Sequence, residues 1–163
     1  MHPIRYNTGA GAGGEPMKHF LTLTFLALVA IGSAAQFGGY DIPAYHPAPP
    51  KKGEQLPPIL SGMDLVGPSF KAPFQVKAYQ VAAKVPAVIY QQPCYCHCDR
   101  SVGHTSLHSC FESAHGAHCA ACMKEAFYTY QMHKKGRTTT QIRECIMRGE
   151  WEKIDLEKAA SIN

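Results

Sequence analysis

The stretch PCYCHCDRSVGHTSLHSC, residues 93–110, carries three cysteines at alternate positions and a fourth near its end. The segment HCAAC, residues 118–122, supplies two more cysteines. Five histidines lie among these cysteines: His97, His104, His108, His115 and His118. So many thiols and imidazoles within about thirty residues are typical of a disulfide framework, of thiol chemistry or of a metal site.

The cysteine spacing predicts two groups of thiolates that can meet. Pro93 favours an extended backbone after it, in which alternate side chains point the same way. Three thiols would then share one side, from Cys94, Cys96 and Cys98. Cys119 and Cys122 are expected at the start of a helix, where free N–H groups and the helix dipole favour the thiolate. An extended set of thiolates and a helix-start pair can close a tetrahedral four-sulfur site.

The predicted metal ligands are therefore Cys94, Cys96, Cys98, Cys119 and Cys122, and the first four-sulfur candidate omits Cys94. Residues that either ligate or serve a structural role are Cys110, His97, His104, His108 and His118, and His115 offers a further nitrogen. Soft thiolates suit Zn(II) or Cu(I), and the spacing does not rank the two. Cys110 and Cys145 fall on inward helix faces, where a buried cysteine is usually a small hydrophobe or half a disulfide.

Helical periodicity across residues 74–150 predicts a small Cys/His-rich all-α module of three to five short helices. The expected helices cover 74–85, a short turn at 86–92, 106–115, 118–135 and 139–148. Thr105 is expected to cap the helix at 106–115. The periodicity of this helix places Leu107 on the inward face and His108 on the outward face. Thr138 and Gln141 have the spacing of a capping box. A module of about eighty residues has a marginal hydrophobic core, so the cysteines are expected to staple it.

The segment MKHFLTLTFLALVAIGSAAQ, residues 17–36, has a short basic head, an apolar run and small residues at its end. This is the layout of a secretory signal peptide, assigned to residues 17–35. The apolar run is short for a bilayer, so no stable membrane span is expected after cleavage, and an uncleaved anchor is the alternative. Residues 1–16 are interpreted either as a disordered extension or as sequence wrongly included before a true start at Met17. The mature protein is thus expected in the periplasm or outside the cell.

Two flanking segments complete the predicted organisation. Residues 36–73 are rich in proline, which removes backbone donors, and are interpreted as a flexible or extended linker. Residues 151–163 form a charged tail that is expected to be loosely attached. The chain has seven cysteines. Because this number is odd, at least one sulfur must be free, intermolecular or bound to something else.

The composition and motifs favour a binding protein over an enzyme. The formal net charge is only +4 and is scattered, which argues against nucleic acid as a partner. No local arrangement of nucleophile, base and orienting group is visible. The predicted function is metal handling in the cell envelope, with a metal ion and another envelope protein as partners. One alternative is a thiol–disulfide redox protein that uses Cys119 and Cys122 or the CxCxC run. The other is a metal-free interaction module stapled by disulfides.

The run PCYCHC, followed by GHTSLHSCF, HCAACMKEAF and HKKGRTTTQIRECI, resembles a family of small exported bacterial proteins named for a PCYCGC or CYCxC motif. The similarity covers about residues 74–149. Some relatives look like lipoproteins and some are selenoproteins, which suits either a redox centre or soft-metal capture. The resemblance implies that six cysteines belong to the family pattern: Cys94, Cys96, Cys98, Cys110, Cys119 and Cys122. This chain departs from it with His97 in place of a small residue such as Gly, and with no lipidation cysteine.

Overall fold

Residues 41–161 are the part of the chain that the computed structural model describes, and their regular structure is entirely helical. Six α-helices follow one another: α1 (Pro73–Lys84), α2 (Pro86–Ile89), α3 (Cys98–Ser101), α4 (Ala120–Lys134), α5 (Thr139–Met147) and α6 (Leu156–Ala159). Four 3-10 segments accompany them at Gly62–Asp64, Leu107–Phe111, Ala114–His118 and Glu150–Lys153. The predicted all-α class is confirmed. The predicted signal peptide at 17–35 and the extension at 1–16 lie outside the described residues.

The core is built on α1 and α4, whose apolar residues recur at helical spacing. Pro73 opens α1, and the side chain of Gln75 accepts the free Ala72 N–H at 2.8 Å. Helix α4 lies at the centre, because it packs against α1, α2, α5 and α6. Among the largest fully buried side chains are Tyr79, Ile89, Leu107, Phe111, Phe127, Ile142 and Ile146. Burial of each such side chain contributes about 1.5–3 kcal/mol, so this core carries much of the fold.

The longer helices begin and end close to their predicted positions. The capping box before α5 is present: the Thr138 N–H donates to Gln141 Oε1 at 3.1 Å, and the Gln141 N–H donates to Thr138 Oγ1 at 3.2 Å. Gly149 follows α5 with a φ of 74°, a left-handed value that glycine adopts without strain. Helix α4 begins at Ala120, two residues later than expected, because Cys119 serves as its N-cap.

The predicted α-helix at residues 106–115 is wrong. Two 3-10 segments, Leu107–Phe111 and Ala114–His118, occupy this part of the chain, and Ser106 rather than Thr105 precedes the first. The chain folds back tightly here, since a Cβ on Gly116 would lie 2.7 Å from the Cys110 carbonyl oxygen. The expected outward position of His108 is also wrong. Its side chain is buried, and Nδ1 lies 2.9 Å from Glu112 Oε1.

The described part of the proline-rich segment runs along the helical body. Only Gly62–Asp64 is helical in residues 41–72, as the prolines predict. The Leu60 N–H nevertheless donates to the Phe111 carbonyl at 3.0 Å, and Leu65 is buried. The His46 ring stacks on Tyr90 at 3.8 Å. These contacts fix the segment to the helices, unlike a free linker.

The C-terminal segment is also packed rather than loosely attached. Helix α6 contacts α1 and α4, and its Ala159 is buried. The Tyr128 hydroxyl donates to Glu150 Oε2 at 2.6 Å, and the Lys124 ammonium donates to the Glu152 carbonyl at 2.9 Å. The tail therefore closes one side of α4. Within residues 41–161, no helix combines the length and apolar character that crossing a membrane requires.

Candidate metal centre

The PCYCHC segment folds as a turn, so the predicted extended strand is wrong. The His97 N–H donates to the Cys94 carbonyl at 3.1 Å, and α3 begins at Cys98. His97 itself has a φ of 55°, in the left-handed region that non-glycine residues seldom adopt. The turn brings Cys94 Sγ within 3.2 Å of Cys96 Sγ. Alternate cysteines thus meet because the chain reverses.

Four sulfurs from three separate segments gather beside this turn. Cys94 Sγ lies 3.5 Å from Cys122 Sγ, and Cys122 Sγ lies 3.6 Å from Cys96 Sγ. Cys110 joins them, and all four sulfurs lie within 4.8 Å of one another. Three of the cysteines are buried and Cys96 is partly exposed. All seven cysteines of the chain fall in the described part, and none forms a disulfide.

A second set of donors adjoins the four sulfurs. Cys98 Sγ lies 2.9 Å from His115 Nε2, and these two atoms group with the sulfurs of Cys96 and Cys122 within 4.8 Å. His104 Nδ1 lies 3.4 Å from Cys110 Sγ, and Cys98 completes that group. Together the groups comprise seven side chains: Cys94, Cys96, Cys98, Cys110, Cys122, His104 and His115. Such a Cys/His cluster has donors that suit a metal ion.

The electrostatics of the cluster single out Cys96 as its thiolate. Hydrogen bonds from Cys110 first, and then from Cys119, Cys122 and Cys94, hold the pKa of Cys96 well below its usual range. A hydrogen bond with Cys110 is the largest cause that raises the pKa of Cys122, followed by bonds with Cys119, Cys94 and Cys96, and a bond with Cys110 likewise raises the pKa of Cys94. The lowered pKa of Cys96 favours its thiolate, whereas the raised pKa values of Cys94 and Cys122 favour their neutral thiols. A cation bound here would displace protons from those neighbours, which couples metal affinity to pH.

A fully buried carboxyl group, on Glu125, supports the turn. Glu125 lies on α4 one turn after Cys122, and its Oε1 accepts the Tyr95 N–H at 2.8 Å. Burial raises the pKa of Glu125 to about 8. Its other oxygen, Oε2, has no hydrogen-bond partner among the described residues. The sequence reasoning missed Glu125, although a lone acidic residue on the cysteine-bearing face of a helix is a recognisable signal.

The predicted ligands divide into two groups in the structure. Cys94, Cys96, Cys98 and Cys122 meet, whereas the Cys119 sulfur lies outside the three groups and accepts the Cys122 N–H at 3.4 Å. Cys119 thus caps α4, and its role as a ligand stays a prediction. Cys110 and His104, named as either ligand or structural, both join the cluster.

Three other histidines that sequence analysis offered as ligands lie outside the three groups. His97 packs edge-on against Tyr95 with ring centroids 6.0 Å apart. His118 Nε2 lies 2.8 Å from Ser69 Oγ, and His108 pairs with Glu112 as described above. Their positions favour structural roles.

Comparison with known proteins identifies the family of the chain. The model of a family described as proteins of unknown function with a PCYCGC motif matches residues 66–152. The chain belongs to this family. No curated protein and no solved structure matches the chain. The family motif has Gly where this chain has His97, and the positive φ at that position gives the reason, because glycine adopts it without steric cost.

Proposed function

We propose that this protein is an exported metal-binding protein that handles Zn(II) or Cu(I) in the cell envelope through its cysteine cluster. The observation that carries this proposal is the group formed by Cys94, Cys96, Cys110 and Cys122, whose sulfurs lie within 4.8 Å of one another without a disulfide. Thiolates are soft ligands that suit Zn(II) and Cu(I), and four of them around one point are typical of a tetrahedral Zn(II) site. Export rests on the signal-peptide pattern at residues 17–35.

The surroundings of the sulfurs support binding of a cation over simple burial of cysteines. Three of the four sulfurs are buried in the core, where a thiolate without a counter-charge is costly. A metal ion supplies that counter-charge. Cys96 is partly exposed and has the lowered pKa, so it offers an ion a charged first contact from solvent. The remaining thiols would follow as they lose their protons.

Metal analysis of a matched pair of cysteine variants tests this function. Protein purified without oxygen and with a reductant is loaded with Zn(II) or Cu(I), passed through a desalting column and measured for bound metal. We expect Cys122→Ser to lose metal, because it removes a sulfur from the centre of the cluster. Cys145→Ser is the control, since Cys145 lies on α5 outside the three groups. Full retention of metal by Cys122→Ser, or none by the unaltered protein, would refute the proposal.

A thiol–disulfide redox role is a second candidate, and the lowered pKa of the partly exposed Cys96 favours it. The Cys96 thiolate would attack a disulfide of a partner protein, forming a mixed disulfide and expelling one partner thiolate. Cys122, 3.6 Å away, would then attack Cys96, forming the Cys96–Cys122 disulfide and releasing the second partner thiolate. Two electrons thus pass to the partner. Reduction of a model disulfide that Cys96→Ser abolishes, together with absence of bound metal, would select this role.

A further inference from the structure

The cluster contains more donors than one tetrahedral ion can use. The four sulfurs of Cys94, Cys96, Cys110 and Cys122 satisfy one four-coordinate ion. Cys98, His104 and His115 remain, and all three belong to groups that share a cysteine with the first four. Surplus thiol and imidazole groups packed against a metal site are either further ligands or merely packed side chains. The short distances from Cys98 Sγ to His115 Nε2 and from His104 Nδ1 to Cys110 Sγ favour further ligands.

We propose that the cluster holds two metal ions that share a bridging thiolate, which extends the proposed function and rests on it. Two tetrahedral ions need eight ligand positions in all. Seven side chains supply eight positions when one sulfur bridges both ions. Cys96, Cys110 and Cys122 each belong to two groups, so the sulfur of each lies within 4.8 Å of donors on both sides of the cluster. The second ion then takes Cys98, His104, His115 and the bridging sulfur.

The separations between donor atoms are close to those of occupied tetrahedral sites. With metal–sulfur bonds of about 2.3 Å and metal–nitrogen bonds of about 2.0 Å, donors on one ion lie roughly 3.5–3.8 Å apart. Cys98 Sγ and His115 Nε2 are 2.9 Å apart, and His104 Nδ1 and Cys110 Sγ are 3.4 Å apart. Each of these two pairs would need to separate by less than 1 Å to reach ligand geometry.

The two histidine rings lie against each other beside the sulfurs. The rings of His104 and His115 lie with centroids 4.8 Å apart and planes inclined at 74°. Each ring places a nitrogen beside a different sulfur of the cluster, His104 beside Cys110 and His115 beside Cys98. Both rings are partly exposed, whereas Cys94, Cys110 and Cys122 are buried. The two imidazoles are thus nearer to solvent than these three sulfurs.

Metal stoichiometry in a histidine variant tests this inference separately from the proposed function. Reduced metal-free protein is titrated anaerobically with Zn(II) in competition with a chromogenic chelator. The mass of the loaded protein is then measured by native mass spectrometry. We expect two equivalents for the unaltered chain and one for the variant His104→Ala/His115→Ala. The control is His118→Ala/His133→Ala, which removes two exposed imidazoles outside the cluster and should keep two equivalents.

The outcomes separate the two claims. One equivalent in the unaltered chain refutes the second ion and leaves the proposed function in place, whereas no bound metal refutes both. Two equivalents in the His104/His115 variant also refute the assignment of the second ion. Circular dichroism checks that this variant retains its helices. If it does not fold, Cys98→Ser serves instead, because it removes a ligand of the second ion with a smaller change in side-chain volume, and it should likewise bind one equivalent.

Discussion

Replacing Glu125 by alanine should weaken both the fold and metal binding, because its carboxyl group holds the cysteine turn. The Tyr95 N–H donates to Glu125 Oε1 at 2.8 Å, and the Glu125 side chain is fully buried. Loss of this acceptor leaves the N–H unpaired, at a cost of about 1–3 kcal/mol. With an unfolding entropy of about 2.1 cal/mol/K per residue over residues 41–161, a loss of about 2 kcal/mol lowers the unfolding midpoint by roughly 8 °C. Loss of a group that orients metal ligands typically weakens affinity by about 10–100-fold.

Glu125→Gln is the matched control for this experiment. Glutamine retains a carbonyl oxygen at the position of Oε1 and removes only the ionisable group. We measure its zinc affinity by competition with a chromogenic chelator. We expect this affinity to fall by less than about tenfold, a smaller loss than removal of an orienting group causes. Thermal unfolding followed by circular dichroism gives the stability of each variant. A folded Glu125→Ala protein with unchanged zinc affinity would refute the orienting role. Equal losses in the two variants would show that the carboxyl group as a whole, rather than its Oε1 acceptor, matters.

Two further predictions concern the core beside the cluster. The Tyr79 hydroxyl donates to the Ser113 carbonyl at 2.6 Å and accepts the Ala117 N–H at 3.1 Å, and burial raises the pKa of Tyr79 to about 12. Because the neutral hydroxyl is the stabilising form, its contribution is complete below pH 10 and is lost as the pH rises through 12. Tyr79→Phe should lower the urea-unfolding free energy at pH 7 by about 1–3 kcal/mol and flatten that alkaline decline; an unchanged pH profile would contradict this. Gly116→Ala should cost about 1–3 kcal/mol in the same assay and weaken zinc binding, since its Cβ would meet the Cys110 carbonyl at 2.7 Å; unaltered zinc affinity would contradict it.

The helical class followed from local patterns because those patterns act within single helices. The capping box at Thr138 and Gln141 forms as its spacing predicts, and α4 extends over most of its predicted range. These features depend on contacts three or four residues apart, which the sequence displays directly. The packing of the C-terminal segment depends instead on distant partners. Ala159 is buried against helices that precede it by more than twenty residues, and no periodicity in a short charged tail indicates this.

The cysteine turn shows why alternating residues do not specify a strand. The spacing of Cys94, Cys96 and Cys98 suits a turn as well as it suits an extended chain. The structure selects the turn, in which His97 is left-handed and Glu125 accepts the Tyr95 N–H. Glu125 lies on another element, so its effect on the turn could not be derived from the motif alone. The prediction that these thiols gather survives because both conformations bring them to one side.

The sequence did not show that Cys110, rather than Cys119, would join the other sulfurs. The outcome depends on local backbone geometry at each cysteine. Cys119 begins α4, and its sulfur accepts the N–H of Cys122, a contact typical of an N-cap. Cys110 lies in a 3-10 segment, whose side chains repeat every three residues rather than every 3.6. Cys110 was predicted to be buried, and it is. Because Cys110 is buried among other sulfurs rather than among apolar side chains alone, it is a candidate ligand rather than only a small hydrophobic residue.

The division between long and short elements indicates which part of the fold a bound metal would stabilise. Helices α1, α4 and α5 carry many of the large buried residues, including Tyr79, Phe127 and Ile142, so much of their packing does not depend on the cysteine donors. Except for Cys122, the donors lie in the turn before α3, in α3 itself and in short segments up to residue 118, none of which exceeds five residues. Elements of this length are unstable alone and depend on tertiary contacts. A shared metal centre would therefore order residues 93–118 while leaving the packing of the three longer helices largely as it is.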